Sequence, residues 1–179
     1  RLPSRFMHAY VDETKAKGLV VVAAVADPRH LATARKALGD LRLKGQERIH
    51  FKSERDSRRK EICSVIVALP VQVHVYDAAS LPEREGRTMA LRMLVSDLAE
   101  LSATRLVIEQ DDSLLKADRQ TLYLATRGHQ IQDRLSYEHV RAKHEPMLWI
   151  PDAVAWCLAK GGHWSGRIEP IIQARNTVR

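Results

Sequence analysis

Asp12, Glu109 and Asp152 are the residues whose type and placement offer the most chemistry in this 179-residue chain. Asp12 and Glu109 stand where an apolar run gives way to polar chain, after Ala9-Tyr-Val and after Leu106-Val-Ile. Asp152 stands just past Pro151, in the first turn of the last helix. Hard carboxylate oxygens hold Mg²⁺ or Mn²⁺, and such ions activate water and stabilise the leaving oxygen in phosphodiester hydrolysis. Carboxylates gathered in one place repel one another unless a cation or proton intervenes, so an ion would relieve the cost of collecting them. Glu13, Asp111 and Asp112 stand nearby in sequence and are candidates for outer or alternate ligation. Ordinary readings compete. Asp12 also opens a turn, Asp111 and Asp112 read as helix-start residues, and Asp152 is a favourable charge at a helix N-terminus. Glu109 ends an apolar strand and has no such turn or cap role.

Two histidines stand beside this set. His50, in Arg48-Ile-His-Phe51, is a candidate for proton transfer or phosphate contact, since histidine as a residue type titrates near neutral pH, with a surface or core role as the competing reading. His139, on the Tyr137-Glu-His139 strand, is a further catalytic candidate that could reach the metal edge. Arg55, Arg58, Arg59 and Lys60 form the densest basic cluster, either a phosphate grip or a solvated helix face. Trp149, Trp156 and Trp164 offer stacking surfaces or core packing. There is no Gly-x-Gly-x-x-Gly, no Gly-Lys-Ser/Thr and no His-Glu-x-x-His, which disfavours dinucleotide enzymes, P-loop enzymes and zinc proteases. No nucleophile-elbow pattern surrounds Ser113 or Ser136.

The carboxylates become a site only if the fold brings distant strand ends together. His8–Asp12 reads as a short strand, and Leu19–Ala26, continuous and β-branched, as a strand buried on both faces. Helix follows from Asp27-Pro28 to about Leu41, then a short strand at Arg48–Phe51, then a helix capped by Ser53 and stopped by Pro70. Val71–Tyr76 alternates as a strand, 82–101 is helical, and Arg105–Glu109 is a strand. A helix runs from Asp111-Asp-Ser113 to about Thr126, a strand spans 135–140, and a last helix lies between Pro151 and Gly161-Gly162. The tail from Trp164 to Arg179 carries no regular pattern. Alternating helix and strand after a hairpin predicts an α/β protein, a mixed sheet flanked by helices, with several strand ends at one edge.

Composition bounds the rest. The chain has 45% hydrophobic and 28% charged residues, ordinary for a folded domain, and a net charge of +7 that draws it toward polyanions such as nucleic acid. Cys63 and Cys157 each lie in apolar runs and read as buried hydrophobes rather than a disulfide or zinc knuckle. No apolar stretch reaches the ~20 residues of a membrane span, and nothing resembles a signal peptide, so the cytoplasm is the default compartment. Met7 reads as a start, with 1–6 an N-terminal remnant, 7–162 a single domain and 163–179 a C-terminal extension.

Several runs together resemble the DUF3800 family of uncharacterised bacterial and phage proteins, which are similar to ribonuclease-H-like nucleases in fold. They are Ala9-Tyr-Val-Asp-Glu-Thr14, His50-Phe51, Val107-Ile-Glu109 with the acidic residues after it, and Glu145-Pro-Met-Leu-Trp-Ile-Pro-Asp-Ala-Val-Ala155. The matching segments reach from Met7 to about Gly162. The resemblance implies a ribonuclease-H-like mixed sheet, a catalytic aspartate at Asp12, and further carboxylates at Glu109 and Asp152. It also marks His139 and Asp118 as recurring positions.

The sequence therefore predicts a Mg²⁺- or Mn²⁺-dependent nuclease acting on RNA or DNA. The alternatives are a catalytically inactive nucleic-acid- or protein-binding module and a structural protein, with homodimerisation open in each case.

Overall fold

The computed structural model describes residues 6–179, and the remnant expected over 1–6 lies outside the described residues except for Phe6. Six strands form one sheet in the order β5-β4-β1-β2-β3-β6. β1 (His8–Thr14) and β2 (Val20–Ala26) are the expected hairpin, paired antiparallel from His8↔Ala26 to Thr14↔Val20. β3 (Val71–Asp77) is antiparallel to β2, while β4 (Arg105–Glu109) and β5 (Ser136–Val140) run parallel to β1 on its other side. The sheet is mixed and carries helices on both faces, as the alternating pattern predicts.

Period-two alternation divides the strands between two cores. Tyr10, Val22, Ala24, Val73 and Val107 face α1 (Leu31–Gly39), α2 (Asp56–Val67), α5 (Trp149–Lys160) and α6 (His163–Ile168). Ala9, Val11, Val21, Tyr76, Leu106 and Ile108 face α3 (Glu83–Glu100) and α4 (Leu115–Gly128). α5 is apolar almost all round because sheet, α6 and the preceding loop enclose it, the condition under which a helix loses its polar face. Asp152 is the one acidic residue in this helix.

The hairpin turn depends on Gly18, whose φ of +88° belongs to the left-handed region. Space enforces the same choice, since a Cβ there would lie 2.6 Å from Ala79 Cβ. The turn is thus clamped against the end of β3, where the Ala78 N–H donates to Leu19 O at 2.9 Å.

Three expectations are corrected. Arg48–Phe51 is extended (His50 φ −116°, ψ 102°) but pairs with no strand, and it ends in a 3₁₀ turn over Phe51–Ser53. Its alternation is real, with Ile49 and Phe51 buried, yet they pack onto helices instead of joining the sheet. Ser53 does not cap the next helix, because that turn delays the start of α2 to Asp56, behind Arg55. The tail is not irregular: α6 and a 3₁₀ turn lead into β6 (Ile172–Thr177), which runs parallel to β3 as the sheet's edge. The fold accordingly continues to Thr177 instead of closing near residue 162.

Candidate metal centre

Register places the first two carboxylates. The parallel pairing of β1 with β4 runs through Tyr10↔Val107 to Val11↔Ile108, so the next position sets Asp12 beside Glu109. Both share a face with Tyr10 and Val107, the side covered by α5. Asp152, in the first turn of α5, is delivered to the same strand ends because α5 packs along β1 and β2. Its approach is fixed upstream by Glu145, which accepts from the Met147 N–H at 3.2 Å to cap the turn leading into α5. Arg35 holds Glu145 with two bonds of 3.0 and 2.8 Å and reaches the Tyr10 hydroxyl at 3.2 Å.

These acids are poorly satisfied. Burial pushes the Asp12 carboxyl well above the ordinary carboxylate range, and Glu13 and Asp152 nearby push the same way. Asp12 Oδ1 accepts the Glu13 N–H at 2.8 Å. Asp152 is also raised by burial, opposed by the Phe51 N–H, which donates to Oδ2 at 3.0 Å, and by Arg48 and His50. Burial raises Glu109 against the pull of Arg48, and its Oε2 is buried with no hydrogen-bond partner. A buried carboxylate oxygen left unpaired is costly and marks where a cation would be welcome.

Arg48 is the cation that sequence reading passed over. Its guanidinium lies 3.7 Å from Glu109 and 3.8 Å from Asp152, the long contacts of a charge bridging two acids without a tight bond to either. The oxygen donors are the right type for Mg²⁺ or Mn²⁺. Among the described residues, however, no group of three or more His, Cys, Asp or Glu side chains is arranged to hold a metal ion. An incoming ion would have to draw the three acids together and displace Arg48.

The remaining candidates divide by face. Glu13 alternates to the opposite side of β1, where it pairs with Arg87 of α3. Arg87 also bonds both oxygens of buried Asp118 at 2.8 and 2.9 Å. His139, in register with Ile108 and so on this second face, places Nε2 2.9 Å from Asp118 Oδ2. Opposing charges and these hydrogen bonds hold Asp118 below the ordinary carboxylate range despite its burial. His139, expected near the metal edge, instead belongs to this buried network across the sheet from Asp12.

Asp111 and Asp112 are exposed and engaged elsewhere. Asp111 accepts from the Ser113 N–H and hydroxyl at 3.0 and 2.7 Å, and Asp112 pairs with Arg141 at 3.2 Å. Neither caps α4, whose N-cap residue is Leu114.

The basic cluster is half structural. Arg58 bonds Glu54, Glu61 and the Leu41 carbonyl, and Arg59 bonds Asp56 and the carbonyls of Phe51 and Lys52. Only Arg55 and Lys60 of the four are solvent-exposed. His50 is exposed and lines an open cleft of about 460 Å³ together with Glu13, Lys15, Lys52, Asp152 and Trp156. The lysines carried no signal in the sequence beyond their charge. Trp156 reads there as either a stacking surface or core packing, and the structure places it at the cleft.

Buried Cys63 and Cys157 are free thiols with sulfurs 3.7 Å apart. No described helix is long and apolar enough to cross a membrane.

No protein-family profile matches the chain, and no curated protein resembles it in sequence. Its structure is similar to that of a chain in the PCNA:RNase HII complex from Archaeoglobus fulgidus, with a TM-score of 0.53 at 17% identity, covering 86% of this chain and 73% of that one. The mixed six-stranded sheet with flanking helices is a ribonuclease-H-like fold.

Proposed function

We propose that this protein is a divalent-metal-dependent nuclease that hydrolyses phosphodiester bonds in RNA or DNA. The observation that carries the proposal is the poorly compensated acid set: Asp12 and Glu109 side by side on parallel strands, Asp152 facing them, and one Glu109 oxygen with no partner. The likeness in fold to a chain of a complex containing RNase HII, the resemblance of the sequence to the DUF3800 family and the net charge of +7 support the same reading. A bound Mg²⁺ or Mn²⁺ would neutralise charge on the phosphate and on the attacking and leaving oxygens.

The chain's own residues do the positioning. The strand register fixes Asp12 against Glu109, and the Phe51 N–H takes one lone-pair direction of Asp152 Oδ2, orienting its carboxylate. Arg48 balances the charges of Glu109 and Asp152. His50, at the cleft wall beside Asp152, is placed to contact a phosphate or carry a proton at the open side. Cleavage of labelled RNA and DNA with Mn²⁺ or Mg²⁺ is the test. Asp12→Asn and Asp152→Asn each lower the rate about 100-fold or more, the scale on which misplaced or missing charge stabilisation acts. Cleavage that survives both substitutions rules the site out.

One observation favours a second reading, a nucleic-acid-binding module without cleavage. Arg48 already bridges two of the three acids, and no three ligands converge. Salt-sensitive binding of nucleic acid without metal-dependent turnover would select it.

A further inference from the structure

We propose that the cleft beside Asp152 seats an unstacked base of a single-stranded nucleic acid on the Trp156 indole, with Lys52 and Lys15 against the flanking phosphates. The inference rests on the reading of nucleic acid as the ligand of this site, but not on its cleavage.

Three tryptophans are available and only one is placed to stack. Trp149 and Trp164 are 1% and 4% exposed, whereas Trp156 is partly exposed and lines the cleft. Trp156 follows Asp152 by four residues on α5, so the two side chains rise from the same helix face one turn apart. A phosphate at the acidic edge would therefore leave its neighbouring base within reach of the indole.

The ring is held ready. Arg59 lies over one face with its guanidinium carbon 4.2 Å from the ring centroid, while Phe51 and Trp164 meet the ring edge-on at 5.2 and 5.3 Å. Arg59 is itself pinned by bonds to the Phe51 and Lys52 carbonyls and to Asp56. A side chain fixed this way loses little freedom on binding, which leaves more of the stacking energy for affinity. Lys52 and Lys15 are exposed at the cleft; Lys52 forms no ion pair among the described residues, and Lys15 makes an exposed 3.4 Å pair with Glu83 that a phosphate would replace. Glu13, paired with Arg87, and Asp152 also line the cleft, so the lysines offset acidic repulsion of a phosphate.

Single strands follow from the indole. A base within a duplex is stacked on both faces and cannot offer its π-surface without first being unpaired, whereas a single strand presents bases freely.

The test measures binding of a labelled oligothymidylate by fluorescence anisotropy, in EDTA and again in Ca²⁺, alongside quenching of intrinsic tryptophan emission. Trp156→Ala weakens binding about 5- to 100-fold, the range of one lost base stack, and Trp156→Phe retains most of it. An abasic residue at the stacked position weakens wild-type binding by about the same factor as Trp156→Ala and leaves the alanine variant's binding unchanged. Lys52→Gln flattens the salt dependence by about one phosphate, roughly 0.7 in the log–log slope for single strands. Duplex of the same length binds more weakly than the single strand. Should Trp156→Ala fail to fold, the phenylalanine variant and the abasic oligonucleotide carry the same comparison.

Wild-type binding that ignores the abasic site, a preference for duplex, or no binding at all overturns the proposal. Trp156-dependent binding without metal-dependent cleavage overturns the nuclease reading and leaves this one standing. The opposite pattern does the reverse.

Discussion

Two acidic clusters lie back to back across β1, and they have opposite fates. On the α3–α4 side, Glu13 and Asp118 are matched by Arg87 and His139 at hydrogen-bonding distance, with Asp118 bonded on both oxygens. On the α5 side, Glu109 and Asp152 share a single Arg48 at 3.7 and 3.8 Å, Asp12 has no cation paired with it among the described residues, and Glu109 Oε2 is left unpaired. Burial acts on both, but partners lower Asp118 while neighbouring acids raise Asp12. The difference teaches how to sort carboxylates that look alike in sequence. Saturated acids hold the fold together, and unsaturated ones are the candidates for a ligand.

Breaking the saturated cluster should have the largest effect on stability. Arg87→Leu leaves Asp118 buried beside His139 without its guanidinium, a loss of about 3–5 kcal/mol. Urea unfolding would read it as a lower midpoint at unchanged slope. A comparable loss from Arg48→Gln would erase the contrast between the clusters.

Arg48→Gln is instead expected to reveal competition. Two long ion pairs of about 0.5–1 kcal/mol each no longer oppose an incoming ion, so Mn²⁺ binds roughly tenfold tighter by calorimetric titration. Weaker binding would make Arg48 a supporting residue rather than a rival to the metal.

Asp12→Asn sharpens the comparison through pH. Because the folded-state pKa of Asp12 lies above its unfolded value, the native protein holds the extra proton between the two. Stability from this group is therefore present at low pH and lost as pH rises from the ordinary aspartate range through the raised folded value. The asparagine variant, without that charge, melts a few degrees higher than wild type in EDTA at neutral pH, and the gain disappears in acid. Thermal melts across pH check the sign, and a variant less stable at neutral pH would contradict it.

The smallest effect belongs to the exposed acids. Asp111→Asn and Asp112→Asn, whose partners are Ser113 and Arg141, change Mn²⁺ affinity by less than about twofold and stability by under about 0.5 kcal/mol.

How far the sequence could be read depended on how local each signal was. Leu106-Val-Ile-Glu109 was legible because an apolar strand and its terminal acid are adjacent in the chain, and the strand ends at Glu109 as expected. Arg48–Phe51 was misread because an extended segment packed on helices has the same alternation as a strand, and only its neighbours reveal that no strand lies beside it. β6 was missed for the reverse reason. Ile172-Gln-Ala-Arg-Asn-Thr alternates in burial, but its inward side ends in small or polar residues, so hydrophobic periodicity is faint. His139 and Asp118 were recognisable as notable positions, while their face was not: strand parity is fixed by register with β4, a long-range pairing. The partners that separate the two acidic clusters, Arg48 and Arg87, lie 61 and 31 residues from Glu109 and Asp118, beyond any spacing rule.

A crystal structure of the protein soaked in Mn²⁺, read by anomalous scattering, tests the central claim most directly. The expected result is a Mn²⁺ peak between the carboxylates of Asp12, Glu109 and Asp152, with Arg48 swung away. No peak there, or ions bound only by surface acids such as Asp111 and Asp112, would contradict it.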